Sequence, residues 1–169
     1  MNQEASEIHA PAGVRIFTFT LAAFAAWAFV AFATPAMAQD EGAGVWRRGG
    51  CANCHGGIGQ GGGGGEDPAG PNLHESDLDR DALWETIACG RGPMPFNLAG
   101  AYLEVPCYDI PVGPPPEGFE PGARISAEDL DILVDFLMEF VVGTRVDRTA
   151  CAAFYRGDLN ARTCAQFPR

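Results

Sequence analysis

The stretch Cys51-Ala-Asn-Cys54-His55 decides how the rest of the chain is interpreted. It places two thiols three positions apart, on one turn of the backbone, with an imidazole directly after the second. Glycines precede and follow it, whereas a thioredoxin-like Cys-x-x-Cys needs a strand before it. A zinc site would need a second ligand pair at suitable spacing, and none follows. Neither alternative therefore explains the stretch well.

Cys-x-x-Cys-His is the pattern that attaches haem covalently. Cys51 and Cys54 would bond the two vinyl groups of one porphyrin, and His55 would bind the iron as its proximal ligand. The chain contains this pattern once. The sequence therefore predicts a single haem c, attached outside the cytoplasm.

With this motif in place, the chain resembles the class I, mitochondrial-like cytochromes c of bacteria over nearly its whole mature length. The shared order is a short helix, Cys-x-x-Cys-His, a glycine-rich loop, Gly-Pro-x-Leu, a methionine loop and a final helix. These segments are Gly42 to Trp46, Cys51 to His55, Gly56 to Gly70, Gly70 to Leu73, Gly92 to Pro95 and Ser126 to Val142. The resemblance implies an all-α class I cytochrome c fold, with few short helices wrapped around one covalent haem and long Gly/Pro-rich loops.

A narrower resemblance rests on Cys89-Gly-Arg-Gly-Pro-Met-Pro-Phe96, followed by Ala101-Tyr102 and Cys107-Tyr108. This segment is similar to cytochromes found beside pyrroloquinoline-quinone (PQQ) dehydrogenases. It implies an electron carrier, not an enzyme, between a dehydrogenase, such as a PQQ-dependent alcohol or methanol type, and a terminal oxidase or other acceptor. The alternatives are a membrane-anchored cytochrome subunit of a respiratory complex and a haem enzyme such as a peroxidase.

Three side chains compete for the sixth position on the iron. Met94 lies between Pro93 and Pro95, where a helix cannot form, so rigid backbone would aim its thioether in one direction. Met138 falls within an apolar helical pattern and is expected in the core. His74 sits among acidic residues and is expected to be a surface imidazole.

The resemblance also places the axial methionine at Met94 and assigns the carbonyl of Pro71 to the Nδ1 proton of His55. With His55 and Met94 both on the iron, oxygen and peroxide would have no easy access to it. Such a haem transfers electrons and does little else.

Four cysteines remain, and three pairings of them are open. We favour Cys89–Cys107 and Cys151–Cys164, because each closes a local loop in an oxidising compartment. Each would contribute about 3 kcal/mol in the chain-entropy model. The first would also hold the segment that carries Met94.

The N-terminal segment has the features of an export signal. Arg15 precedes an apolar run from Ile16 to Ala33, and Ala36-Met37-Ala38 is a cleavage site that a signal peptidase accepts. The predicted organisation is a signal peptide at 1–38, a cytochrome c domain at 39–143 and a disulfide-stapled C-terminal extension at 144–169. The predicted location is the periplasm. The apolar run is near the length that a bilayer requires, so an uncleaved inner-membrane anchor stays open.

The formal net charge is −11, and every basic residue is arginine. This charge argues against nucleic acid, whose phosphates it would repel. It also argues for redox partners whose surfaces are basic or largely neutral. We expect a monomer, with membrane contact only if the leader is uncleaved.

Two further helices are predicted from apolar spacing. The first runs from Asp77 to Ala88 with Ser76 or Asp77 as N-cap, and its Trp84 is expected in the core near a haem edge. The second begins at Ser126, in a sequence that resembles a capping box, and stops at Gly143.

Overall fold

The computed structural model describes residues 35–63 and 67–169, which are mostly helical. The α-helices are α1 (Pro35–Arg48), α2 (Cys51–His55), α3 (Arg80–Cys89), α4 (Ala127–Phe140) and α5 (Arg148–Ala153). Two short 3₁₀ turns cover Leu73–Glu75 and Arg162–Gln166. The strands are β1 (Phe96–Leu98) and β2 (Pro121–Ile125).

Helices α1 and α4 cross at a glycine, and this crossing organises the core. A Cβ at Gly42 would collide with Cβ of Phe136 and lie 2.6 Å from its Cγ, so only glycine lets the helices approach this closely. Leu133 and Leu137 lie on the buried face of α4, and Trp46 on that of α1. Ser126 caps α4 by accepting a hydrogen bond from the Asp129 N–H at 3.0 Å, which confirms the predicted start of this helix.

The all-α prediction missed a small parallel sheet. Phe96 pairs with Pro121, Leu98 pairs with Ile125, and the register is irregular between them. Strand β2 directly follows a proline-rich loop at residues 105–120, whose composition predicts no strand. The two strands link the segment around Met94 to the residues that directly precede α4.

Helix α3 begins later than predicted. Its N-cap is Asp79, whose carboxylate accepts a hydrogen bond from the Ala82 N–H at 2.9 Å. The predictions of Ser76 and Asp77 as caps were therefore wrong, because residues 76–79 precede the helix. Trp84 is half-buried beside an open surface groove, away from the cavity described below.

The tail from residue 144 contributes to the core. Phe154 is 3% exposed, and its ring lies 5.5 Å from that of Trp46 and 4.9 Å from that of Phe136. A disulfide between Cys151 and Cys164 joins α5 to the last 3₁₀ turn. The tail thus packs on the crossing of α1 and α4.

The predicted export signal can be compared with the structure only at its end. The apolar run from Ile16 to Ala33 lies outside the described residues, and residues 35–38 form the first part of α1. Residues 39–143 and 144–169 fall in the same compact unit, Thr34–Arg169. No helix within residues 35–63 and 67–169 is both long and apolar enough to cross a bilayer.

Candidate haem site

Helix α2 carries both thiols of the Cys-x-x-Cys-His motif. Its N-cap, Gly50, has a φ of 65°, a conformation that glycine adopts without strain. Cys51 and Cys54 are half-buried free thiols. Burial raises the pKa of Cys51 to about 11, and burial followed by the charge of Asp67 raises the pKa of Cys54. Both shifts run opposite to the lowered thiol pKa that redox-active Cys-x-x-Cys motifs depend on.

His55 is held in one tautomer. Its Nδ1 lies 3.1 Å from the carbonyl oxygen of Pro71, and because a carbonyl only accepts, Nδ1 must carry the proton. Nε2 is then left with a free lone pair, as an iron ligand requires. A Cβ at Gly70 would lie 2.8 Å from Nδ1, so this glycine lets the backbone close against the ring.

The glycine-rich loop packs against the motif. The N–H of Gly61 donates to the carbonyl of His55 at 2.7 Å, and the N–H groups of Gly63 and Gly70 donate to that of Cys54 at 2.8 and 2.7 Å. Close approach to neighbouring backbone explains the glycines at 61 and 63, whereas Gly62 has a φ of 66°. Residues 64 and 65 lie outside the described part of the chain.

Met94 closes a tight turn after α3. The N–H of Arg91 donates to the carbonyl of Met94, and the N–H of Met94 donates back to that of Arg91, each at 3.1 Å. Gly92 at the tip of the turn has a φ of 58°, and Pro93 and Pro95 flank the methionine. The residue most strongly expected as the sixth ligand is therefore fixed by its backbone.

A disulfide and a buried amide fasten this segment to its neighbours. Cys89 and Cys107 are joined, so both disulfides have the pairing that the sequence analysis favoured. Asn97 is 7% exposed; its amide nitrogen donates to the Pro95 carbonyl at 3.1 Å, and its oxygen accepts from the Ala123 N–H at 3.1 Å. Asn97 thereby ties the methionine segment to β2.

The thiols, His55 and Met94 all line one cavity of about 570 Å³. Its apolar walls come from α3, α4 and the segment that precedes α3: Leu73, Leu78, Leu83, Ile87, Leu133 and Leu137. Trp46 also lines it, and its buried Nε1 has no hydrogen-bond partner in the described chain. A largely apolar cavity lined by an imidazole, a thioether, two thiols and an unpartnered N–H fits haem c in its chemistry.

His74 does not compete for this site, and its prediction as a surface imidazole was wrong. It is 4% exposed, and its Nε2 lies 2.9 Å from the Ile58 carbonyl. Its Nδ1 lies 2.9 Å from Oγ1 of Thr144. Both ring nitrogens are thus engaged in linking the loop after α2 to the end of α4, and His74 does not line the cavity.

A comparison with protein families gives a match over part of the chain. Residues 37–101 match the model of the family described as cytochrome c oxidase, cbb3-type, subunit III. This stretch, 37–101, is therefore similar to a c-type cytochrome domain. The matched stretch runs from α1 to just beyond β1 and includes the Cys-x-x-Cys-His motif and Met94. The match implies haem c and supports a c-type cytochrome that transfers electrons. No curated protein and no solved structure matches the chain.

Sequence reasoning did not single out three polar residues of this candidate site. Trp46 marked only the end of the first helical segment, and neither Arg91 nor Asn97 was assigned a role, yet all three line the cavity. Arg91 could have been suspected, because it is the basic residue nearest to Met94 in the sequence. Asn97 could not, because its burial depends on β2, which the sequence did not predict.

Proposed function

We propose that this chain is a mono-haem c-type cytochrome that carries single electrons in the periplasm. The observation that carries the proposal is the meeting, in one cavity, of the two thiols, the tautomer-locked His55 and the backbone-fixed Met94. Cys51 and Cys54 would hold the haem covalently, and His55 and Met94 would be its axial ligands. When bound, the haem supplies a one-electron Fe(III)/Fe(II) couple.

The residues of the chain favour electron transfer over catalysis. His55 and Met94 together would fill both axial positions and leave no open site for oxygen or peroxide. The Pro71 carbonyl orients His55 and increases its basicity, whereas the soft sulfur of Met94 favours the reduced iron. The largely apolar walls would favour the less charged, reduced state of a bound haem.

Partners follow from resemblance and charge. We propose a PQQ-dependent alcohol or methanol-type dehydrogenase as donor and a terminal oxidase as acceptor. The net charge of −11 favours partner surfaces that are basic or largely neutral. A purified dehydrogenase of this class that fails to reduce the protein would refute the donor and leave the cytochrome proposal intact.

A second candidate is a cytochrome subunit fixed in a respiratory complex. The matched family is named for a subunit of cytochrome c oxidase, cbb3-type, and this name favours that role. The transfer chemistry would be the same, but the protein would stay attached to its complex. N-terminal sequencing of the native protein and its distribution between periplasmic and membrane fractions separate the two: a shuttle begins at Gln39 and is periplasmic.

The test of the proposed function is the visible spectrum of Met94→Ala beside Met138→Ala. Met138 is half-buried on α4 and does not line the cavity, so it is the matched control. Wild type and Met138→Ala should be low-spin, with the weak far-red sulfur-to-iron band when oxidised. Met94→Ala should lose this band and bind carbon monoxide when reduced. A wild type that is already high-spin and binds carbon monoxide would instead indicate a haem enzyme, such as a peroxidase, or a sensor.

A further inference from the structure

Two tyrosine hydroxyls meet the C-terminal end of α3, directly before the methionine turn. Tyr102 donates to the carbonyl of Cys89 at 2.9 Å, and Tyr108 donates to that of Gly90 at 2.7 Å. The last carbonyls of a helix have no partner within it, so these hydroxyls satisfy two successive free acceptors. Burial raises the pKa of both phenols, so each remains an O–H donor at neutral pH.

Tyr108 binds the carbonyl of Gly90, the residue directly before the methionine turn at 91–94. Gly90 has a φ of 73°, and a Cβ on it would lie 2.6 Å from the carbonyl oxygen of Met94. The backbone of Gly90 is therefore in close contact with that of Met94. A shift of Gly90 would move the turn, because the reciprocal bonds between Arg91 and Met94 keep the turn rigid.

Tyr108 itself has a backbone conformation that is unfavourable for a residue other than glycine. Its φ is 51° and that of Asp109 is 61°, in the left-handed region that residues other than glycine rarely adopt. The N–H of Tyr108 donates to Oε1 of Glu85 on α3 at 2.9 Å, and the preceding residue, Cys107, is joined to Cys89. Such strain persists only where neighbouring groups impose it, and here they aim the phenol at the end of α3.

From this geometry we infer that Tyr108, supported by Tyr102, is a positioning residue that keeps Met94 on the iron. The inference rests on the proposed function, because it requires Met94 to be the sixth ligand. A thioether is a weak, neutral ligand that exogenous ligands can displace. Because the backbone of Met94 is held in place, the state in which Met94 has left the iron is less populated. Tyr102 acts one residue earlier, at Cys89, and its effect on Met94 is the smaller of the two.

The experiment measures imidazole binding to the oxidised holoprotein, because imidazole binds only when Met94 has left the iron. Tyr108→Phe keeps the ring and removes one hydrogen bond. The affinity for imidazole should rise about tenfold, the equivalent of one such bond. Tyr155→Phe removes the same hydroxyl from a tyrosine of the tail that is 36% exposed, and it should behave like wild type. Tyr102→Phe should fall between the two.

A purely structural role for Tyr108 would lower the denaturation midpoint and leave the imidazole affinity unchanged, and that result would overturn the inference. If Tyr108→Phe does not yield holoprotein, Glu85→Ala releases the Tyr108 backbone instead, and a wild-type affinity there is equally contrary. Failure of the proposed function looks different: the wild type itself would lack the sulfur-to-iron band before any variant is compared.

Discussion

Gly42 is a residue at which a single methyl group should be costly to the fold, because it lies at the crossing of α1 and α4. The atoms that an alanine side chain would meet are Cβ and Cγ of Phe136, which are close to the α4 backbone and cannot swing away. Gly42→Ala should therefore force α1 and α4 apart and destabilise the protein by about 2 kcal/mol, within the range of overpacked cores. Urea unfolding of the holoprotein, followed by far-UV circular dichroism, measures this loss.

Gly44 provides the matched control, because it lies on the same helix two residues later. A Cβ there would meet only Nη1 of Arg48 at 3.1 Å, the far end of a flexible side chain. Gly44→Ala should stabilise the protein by up to about 1 kcal/mol through helix propensity alone. Equal effects of the two substitutions would contradict the assignment of Gly42 to the helix crossing.

Single residues also show what the sequence could predict of the site. Cys51, Cys54 and His55 form a local motif, and the prolines beside Met94 limit its backbone, so neighbouring residues alone indicate their roles. His74 could not be predicted, because its partners Ile58 and Thr144 come from distant segments. The acidic residues beside His74 in the sequence suggested that it is exposed to solvent. Its burial depends instead on packing near the end of α4.

Among the elements, those defined by local chemistry were predictable. The start of α4 follows from Ser126 and the apolar spacing after it, and the structure agrees. The start of α3 was misplaced because several acidic or hydroxyl side chains in 76–79 could each serve as a cap. Strands β1 and β2 escaped prediction because they are three and five residues long and pair across an intervening loop.

The tail is the element whose role the sequence left open, and its packing yields a prediction. Phe154 lies against Trp46 and Phe136, beneath the crossing of α1 and α4. Phe154→Ala should cost about 3–5 kcal/mol, as for other buried aromatic truncations. Leu159→Ala, in the same tail but 50% exposed, should cost little.

Chemical denaturation of the two tail variants measures both losses. Because Trp46 lines the haem cavity and its ring lies 6.2 Å from that of His55, Phe154→Ala should also perturb the visible spectrum. A Phe154→Ala protein as stable as Leu159→Ala would show that the tail is a dispensable appendage.

The chain as a whole presents a strongly negative field to any redox partner. Its formal charge is −11, and exposed Arg80 is engaged with Asp131 and Asp135 at 3.1 and 2.8 Å. At low ionic strength this field should attract cationic reagents and repel anionic ones, and salt should screen both effects. The sign of the salt dependence therefore reports the charge that a partner meets at the site of electron exchange.

Stopped-flow kinetics with small reagents tests this without a known partner. Reduction by hexaammineruthenium(II) should slow by a factor of about 10 between low and high salt, and oxidation by ferricyanide should accelerate comparably. A neutral ferrocene derivative should show almost no salt dependence. If ferricyanide instead slowed with added salt, the local charge of Arg91, which lines the cavity and is exposed, would outweigh the net charge. Partners would then approach an arginine-bearing surface, and the expectation of basic or largely neutral partner surfaces would be wrong.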